Sequence, residues 1–226
     1  MKTTFSNLCL FVILSLSALA QNGKPEVGFI RLVQAVGPGT GKASLFIDGE
    51  NMFPGGYDLG QRTGGIGLKA GPHTFEVRKE GIEKAVTKID LKNGETQTII
   101  AFGEKIPPKK EDDPPTWTIK LLRLKQQDTE KSFRMTLVSV SAQPEILVTT
   151  AIESLKKNDI SSVKRLNTAT VDLGKARGDV NLSINKEPLA FVSLDDHGNY
   201  VVLLYDDADG KVHAITFLDP KFVVAG

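Results

Sequence analysis

The densest group of side chains that could do chemistry is Asp206-Asp207-Ala208-Asp209-Gly210. Closely spaced carboxylates are typical of calcium loops, whose twelfth position is a bidentate glutamate. Phe217 stands at that position here. The sequence therefore favours an acidic hairpin turn with its glycine in the left-handed region, and it predicts no metal site.

The other residues that could be reactive do not form a recognisable catalytic pattern. The histidines occur singly, at His73, His197 and His213, without the spacing that a zinc site requires. The glycine-rich run 37–42 is similar to a phosphate loop, but Ala43 stands where that loop needs a hydroxyl. We therefore predict a non-enzymatic protein without a cofactor. A secreted hydrolase is an alternative, and it would need a pocket with convergent titratable groups.

Three aromatic residues are the candidate recognition surface: Phe53, Tyr57 and Trp117. Aromatic rings on sandwich loops can stack on sugar rings or anchor a protein partner. The competing interpretation is that Trp117 closes one end of the core and Phe53 fills the edge of the sandwich. A carbohydrate-binding module would need a flat, exposed platform formed by at least two of the three.

Residues 1–20 are predicted to be a secretory signal peptide. Lys2 precedes an apolar stretch from Leu8 to Leu19, and Ala18-Leu19-Ala20 matches the small-x-small cleavage pattern. The only cysteine, Cys9, lies in this segment, so the remaining 206 residues can form no disulfide. Small secreted eukaryotic domains are usually rich in disulfides. We therefore expect a bacterial exported protein, periplasmic or extracellular, with no membrane span after cleavage.

The charge balance excludes electrostatic attraction to nucleic acid. Lys2 is one of the 28 Lys and Arg residues, which leaves 27 against 27 Asp and Glu. A net charge of zero provides no field to attract a polyanion. The expected partner is an unknown protein or polysaccharide of the cell envelope.

The chain from 29 to 125, after a polar leader at 21–28, is predicted to form a first β-sandwich. Strands at Ala85–Leu91 and Thr96–Phe102 flank Asn93-Gly94, which predicts a type I′ hairpin. The proline-rich segment 105–115 precedes a further alternating strand, so we interpret it as a long hairpin loop within this domain.

A second sandwich is predicted over 133–226, after a linker at 126–132. Its strands and turns follow the same order as those of the first half, with little sequence identity. Ser154–Arg165 is interpreted as a loop or one short helix, and Asp196-His197-Gly198-Asn199 as a hairpin turn. The predicted fold class is all-β, with two tandem immunoglobulin-like β-sandwich domains.

Two segments of the first half resemble known bacterial families. Ile30–Ala35 followed by Ser44–Gly49 resembles the secreted family called domain of unknown function 4397. Leu68–Ile99 is similar to the closing half of PEGA-type surface domains. Both resemblances imply immunoglobulin-like or related sandwiches on exported proteins, and neither implies a catalytic residue.

The sequence thus predicts a binding or scaffolding role, with the loops at 50–65 and 103–116 as contact surfaces. A carbohydrate-binding accessory module for extracellular polysaccharide is the alternative. Arg31 has two interpretations at this stage: an exposed sheet residue, or an ion-pair partner of Asp48.

Overall fold

The computed structural model describes residues 26–108, 116–127, 133–220 and 222. These residues form sixteen β-strands and one turn of 3₁₀ helix, Glu153–Leu155, and the described part contains no α-helix. The all-β prediction is confirmed. None of the helical structure in the described ranges is long and apolar enough to cross a membrane.

The first half of the chain contains eight strands. They are β1 (Val27–Ala35), β2 (Thr40–Ile47), β3 (Glu50–Asn51), β4 (Ile66–Lys69), β5 (Gly71–Glu80), β6 (Ala85–Leu91), β7 (Thr96–Ile106) and β8 (Thr116–Leu124).

The second half contains the other eight strands. They are β9 (Phe133–Ser139), β10 (Glu145–Ile152), β11 (Lys157–Lys164), β12 (Thr168–Gly174), β13 (Gly178–Ile184), β14 (Glu187–Leu194), β15 (Gly198–Asp206) and β16 (Val212–Leu218).

The two halves have the same strand order. In the first half, β4-β1-β7-β8 form the first inner sheet and β3-β2-β5-β6 the first outer sheet. In the second half, β12-β9-β15-β16 form the second inner sheet and β11-β10-β13-β14 the second outer sheet. Each inner sheet has one parallel pair, β1 with β7 and β9 with β15. Each strand of the second half thus corresponds in position to the first-half strand whose number is lower by eight, as β9 does to β1.

Each half has its own hydrophobic core between its inner and outer sheet. The first core includes Leu32, Leu45 and Phe75, and the second includes Leu137, Val148 and Leu173. All six side chains are inaccessible to solvent. This arrangement is that of two β-sandwiches in tandem.

A third hydrophobic layer joins the two inner sheets. It contains Val33 and Ile100 from the first half and Val138, Val201 and Leu203 from the second, all fully buried. The inner sheets are therefore buried on both faces, and strands of this kind have continuous apolar sequences rather than alternating ones. The molecule is a stack of four sheets, with the inner sheets face to face.

The predicted hairpin at Asn93-Gly94 is wrong. β6 belongs to the first outer sheet and β7 to the first inner sheet, so this turn carries the chain between sheets. Only Gly94 has a positive φ, 70°, whereas a type I′ turn needs positive φ at both central residues. The Gly94 amide donates to the Val27 carbonyl at 2.8 Å, which attaches the turn to the first inner sheet.

The predicted hairpin at Asp196–Asn199 is wrong for the same reason, since β14 and β15 lie in different sheets. The Tyr200 hydroxyl accepts from the amides of Asp195 and Asp196 at 3.1 and 3.0 Å. It also donates to the Asp196 carbonyl at 2.7 Å. This buried tyrosine fixes the crossover, as Asn93-Gly94 does in the first half.

Two-residue hairpins with positive φ at both positions occur elsewhere. Asp48 and Gly49 have φ of 51° and 86° between β2 and β3. Asn185 and Lys186 have φ of 51° and 70° between β13 and β14. The acidic turn Asp206–Gly210 does join the paired strands β15 and β16, and its Gly210 has φ of 80°. That hairpin prediction is confirmed.

The segment 154–165, predicted as a loop or short helix, is mostly strand. After the 3₁₀ turn it forms β11, which pairs along its whole length with β10. β11 is an edge strand in which only Val163 is buried, so its sequence lacks the apolar alternation of a half-buried strand. The predicted signal peptide at 1–20, most of the leader, most of the 105–115 loop and 128–132 of the linker lie outside the described residues.

Candidate functional site

Arg31 is neither exposed nor paired with Asp48. It lies 4% exposed between the two inner sheets, and its Nη1 is 3.2 Å from Asp219 Oδ1. Thr98 donates its hydroxyl to the same carboxylate oxygen at 3.1 Å. The guanidinium carbon lies 5.6 and 4.8 Å from the ring centroids of Phe217 and Phe222. This buried ion pair joins the two halves of the chain.

Burial dominates the electrostatics of this pair. Desolvation raises the pKa of the Asp219 carboxyl, and the attraction of Arg31 offsets this only in part. Desolvation also lowers the pKa of Arg31. Among the described residues, Arg31 Nε and Asp219 Oδ2 have no hydrogen-bond partner. Removing either charge would leave the other buried without its counter-charge, which is strongly destabilising.

Of the three aromatic residues predicted as a recognition surface, the structure brings two together. The ring centroids of Phe53 and Tyr57 are 5.4 Å apart, at an interplanar angle of 49°. Phe53 is 49% exposed, and both residues line an open depression with Arg62 and Phe222. The tilt between the rings means that this pair does not form a flat platform.

Trp117 lies apart from that pair. It belongs to β8, at one edge of the first inner sheet. Arg62 instead bridges Val33 of β1, and Tyr57 bridges Ala43 of β2 in the first outer sheet. Trp117 is half-buried and faces a cleft between the two halves of the chain. The structure therefore divides the predicted surface between two places.

The cleft beside Trp117 is a cavity between the two halves, with a volume of about 380 Å³. Its apolar part is formed by Ala35 and Phe102 from the first half and by Val140 and Tyr205 from the second. These residues are also the end of the buried interdomain layer. The cleft is therefore built on a rigid base, which is the arrangement that a precise binding site needs.

Gly37 allows the two halves to approach closely at this cleft. A Cβ atom there would lie 2.5 Å from the Asp206 carbonyl oxygen, which belongs to the second half. Any side chain at position 37 would therefore push the halves apart. The glycine of this loop, which in sequence looked like part of a phosphate loop, serves packing between domains.

Charged side chains form the rim of the cleft. Glu104 of the first half pairs with Arg165 of the second at 2.5 Å. Asp206 accepts from the Ser141 hydroxyl and from the Ala142 amide, both at 2.6 Å. The lining contains four carboxylates and two cationic side chains, Lys105 and Arg165, so its formal charge is negative.

Asp207 organises the acidic turn on this rim. Its carboxylate accepts from the backbone amides of Asp209 and Lys211, both at 2.9 Å, and lies 2.7 Å from His213 Nε2. The hydrogen bond from His213 is the largest cause of a lowered pKa at Asp207, followed by that from the Lys211 amide. The carboxylate is held ionised as part of the turn. No group of three or more His, Cys, Asp or Glu residues in the described ranges is placed to hold a metal ion.

His73 has a structural role in the first outer sheet. Its Nδ1 is 2.6 Å from Asp48 Oδ2, and its Nε2 donates to the Lys69 carbonyl at 2.7 Å. Asp48 Oδ1 accepts from the Thr74 amide at 2.7 Å. The Asp-Gly turn and the Gly-Pro-His-Thr segment, which carry the two family resemblances, therefore meet in one hydrogen-bonded unit.

This histidine is expected to make stability depend on pH. Both of its neighbours are acceptors, so the Lys69 carbonyl and then Asp48 raise the pKa of His73. A histidine with a raised pKa stabilises the fold below its unfolded pKa of about 6.5, and this contribution disappears as the pH rises through the folded value. We expect His73→Gln to lower the free energy of unfolding by up to about 1 kcal/mol at acidic pH, and by less at alkaline pH. Urea unfolding across that range measures the difference.

Asp48→Asn is the matched variant, because it removes the carboxylate and keeps the histidine. It should remove part of the same pH-dependent difference. A deficit of His73→Gln that stays constant across the pH range would contradict this assignment.

The sequence did not reveal that Glu104, Arg165 and Tyr205 share a site with Trp117. One signal was present, because strands such as Tyr200–Tyr205 are apolar at consecutive positions and not only at alternate ones. That pattern indicates burial on both faces. It does not show which other sheet covers the second face.

Comparisons with known proteins do not identify a family. No family model matches the chain, and no curated protein matches it. A solved structure, "The Bacillus anthracis TIE protein", aligns with 80% of this chain at 12% identity and a TM-score of 0.26. The alignment covers 50% of that protein, so this chain spans about half its length. At this TM-score the match supports no argument about fold or function, and the resemblances to domain of unknown function 4397 and PEGA-type domains stay predictions.

Proposed function

We propose that this protein is a non-catalytic bacterial envelope or secreted protein that binds its partner in the cleft between two immunoglobulin-like sandwiches. The observation that carries the proposal is that the cleft is lined by both halves, with Trp117 and Glu104 on one side and Tyr205 and Arg165 on the other. Its volume is within the range of about 300–1,000 Å³ that ligand sites occupy.

The immunoglobulin-like assignment is supported by the sheet pairs and by Tyr200. Each half has two four-stranded sheets joined by crossovers. Immunoglobulin folds have a conserved tyrosine at such a corner, with its hydroxyl bonded to backbone a few residues upstream. Tyr200 makes bonds of this kind to Asp195 and Asp196 at the start of β15.

The non-catalytic assignment is supported by the hydrogen bonds of the rim carboxylates. Glu104, Asp206 and Asp207 are each bonded to a partner within the fold, namely Arg165, Ser141 and His213. A general acid needs a raised pKa, whereas the pKa of Asp207 is lowered. These carboxylates are suited to accept hydrogen bonds from a ligand rather than to transfer protons.

Carbohydrate is the ligand class that this lining favours. The indole of Trp117 is half-buried, so part of its surface is open for stacking on a sugar ring, and the rim carboxylates are acceptors for sugar hydroxyls. Because the rim is negative, it should favour neutral sugars and amino sugars over uronic acids. This is the carbohydrate hypothesis of the sequence, moved from a flat loop platform to the cleft.

Trp117 makes the test direct, because it is the only tryptophan of the chain. Titration with neutral, amino-sugar and uronic-acid oligosaccharides is expected to change its fluorescence, with saturation, for the neutral or amino-sugar types. Trp117→Ala should weaken binding at least about tenfold by calorimetry, the loss expected when one stacking aromatic is removed.

Phe53→Ala is the matched control, because it removes the other exposed candidate ring and lies outside the cleft. It should leave the affinity unchanged. If no oligosaccharide affects Trp117 or produces heat, carbohydrate binding in the cleft is refuted. If Phe53→Ala weakens binding and Trp117→Ala does not, the site lies in the depression beside Tyr57.

A further inference from the structure

The outward face of the second outer sheet exposes three large apolar side chains on three different strands. Leu147 on β10 is 56% exposed, Ile160 on β11 is 72% exposed, and Phe191 on β14 is 62% exposed. Three large exposed apolar side chains on one sheet face are more than the single scattered ones that a monomer's surface normally carries.

Small uncharged residues fill the surface between them. By the strand register, Thr149 lies between Ile160 and Ser183, and Asn181 lies between Ala151 and Phe191. The two middle strands of this face therefore carry small side chains apart from Leu147, and the edge strands carry Ile160 and Phe191. We call these residues, with Leu147, the neutral face. The nearest charged residues lie at the margins of this face. Glu153, directly after β10, accepts from Asn181 Nδ2 at 3.0 Å, and Glu145, Lys164 and Asp179 lie at the ends of their strands.

The equivalent face of the first half is largely charged, although it also exposes Val86, opposite Glu76. On the first outer sheet, Glu76 lies 2.6 Å from Arg78 Nε and 2.8 Å from Lys84 Nζ, and Arg78 covers the ring of Phe46 at 4.0 Å. The two cations lower the pKa of Glu76 to about 2. That face is covered with paired charges suited to water, so the fold itself does not require the neutral face to be apolar.

We propose that the neutral face is a self-association surface, on which a second copy of this chain packs sheet to sheet around a twofold axis. Twofold symmetry places each side chain near its own equivalent, so a charged face would oppose like charges, whereas an uncharged one does not. The large side chains on the edge strands of one copy can pack against the small side chains on the middle strands of the other.

The size of the face is sufficient for a weak dimer. Four strands about 4.8 Å apart, with a rise of about 3.3 Å per residue, give two such faces a buried area on the order of 1,000 Å². Specific interfaces begin at about this area. The chain already uses the same type of contact between its own inner sheets, where apolar side chains from equivalent strands meet.

Sedimentation velocity of the purified protein, from low micromolar to submillimolar concentration, tests the proposal. A reversible monomer–dimer equilibrium is expected. Ile160→Lys and Leu147→Lys should each raise the dissociation constant at least about 100-fold, because each places like charges near the twofold axis. Both positions are exposed, so circular dichroism should show that the fold is kept.

Val86→Lys is the matched control, because Val86 is 53% exposed on β6, in the first outer sheet. It should leave the dissociation constant unchanged. A protein that is monomeric at every concentration overturns the proposal and leaves the neutral face to a different partner. A dimer that the neutral-face variants do not weaken, or that Val86→Lys weakens equally, overturns it as well.

Discussion

Replacing Arg31 by alanine is expected to lower the free energy of unfolding by about 3–5 kcal/mol. The substitution leaves the Asp219 carboxylate buried between the inner sheets without its counter-charge. It also removes the cation that lies between Phe217 and Phe222. Urea unfolding of the purified variant, compared with the unmodified protein, measures the loss.

The loss of unfolding free energy caused by Arg31→Ala should become smaller at acidic pH. Burial already raises the pKa of Asp219, and removing Arg31 raises it further, so the carboxyl takes up a proton as the pH falls. Once it is neutral, its burial costs less, and the difference from the unmodified protein becomes smaller.

Arg78→Ala is the matched control for this prediction. Arg78 also pairs with a carboxylate, Glu76, and also covers an aromatic ring, but it does so on the solvent-facing side of the first outer sheet. Its removal should cost far less than the removal of Arg31, because solvent screens an exposed ion pair. Equal losses for the two variants would show that the buried pair does not couple the halves of the chain.

The second large effect is expected from Val201→Asp. Val201 is fully buried in the layer between the inner sheets, among apolar side chains. A carboxylate there would lose its hydration, and the expected loss of unfolding free energy is at least about 4 kcal/mol. Small-angle scattering should detect any separation of the two sandwiches as an increase in the radius of gyration.

Val86→Asp makes the same change at an exposed valine on β6. It should alter stability by no more than about 0.5 kcal/mol. If Val201→Asp lost no more unfolding free energy than Val86→Asp and kept its radius of gyration, the interdomain layer would contribute little to stability.

The strand content of this protein could be predicted from local patterns. The segments Phe29–Val36 and Glu145–Ile152, both predicted as strands, correspond to β1 and β10 in the structure. Turn chemistry was less informative, because Asn93-Gly94 suits a hairpin in isolation. Whether two consecutive strands pair depends on the whole sheet arrangement and not on the turn alone. In the structure, the Gly94 amide donates to the Val27 carbonyl rather than closing a hairpin between β6 and β7. Strand β11 was missed because an edge strand with one buried residue has no apolar period.

The candidate site could be predicted only in part. Trp117 was chosen for its chemistry, and it does line the cleft. Its neighbours there, such as Arg165 and Tyr205, lie far away in sequence and meet it only because the inner sheets stack. Asp219, the partner of Arg31, is 188 residues away in sequence, and no local pattern connects the two.

The stacked inner sheets have a consequence for how the contact between the domains forms. Two domains with the same strand order meet through equivalent faces, as the subunits of a homodimer do, but here one polypeptide carries both. The contact therefore does not depend on protein concentration, as a dimer interface does. It also has no need of symmetry: Arg31 pairs with Asp219, whereas Arg134, in β9, contacts Gln127.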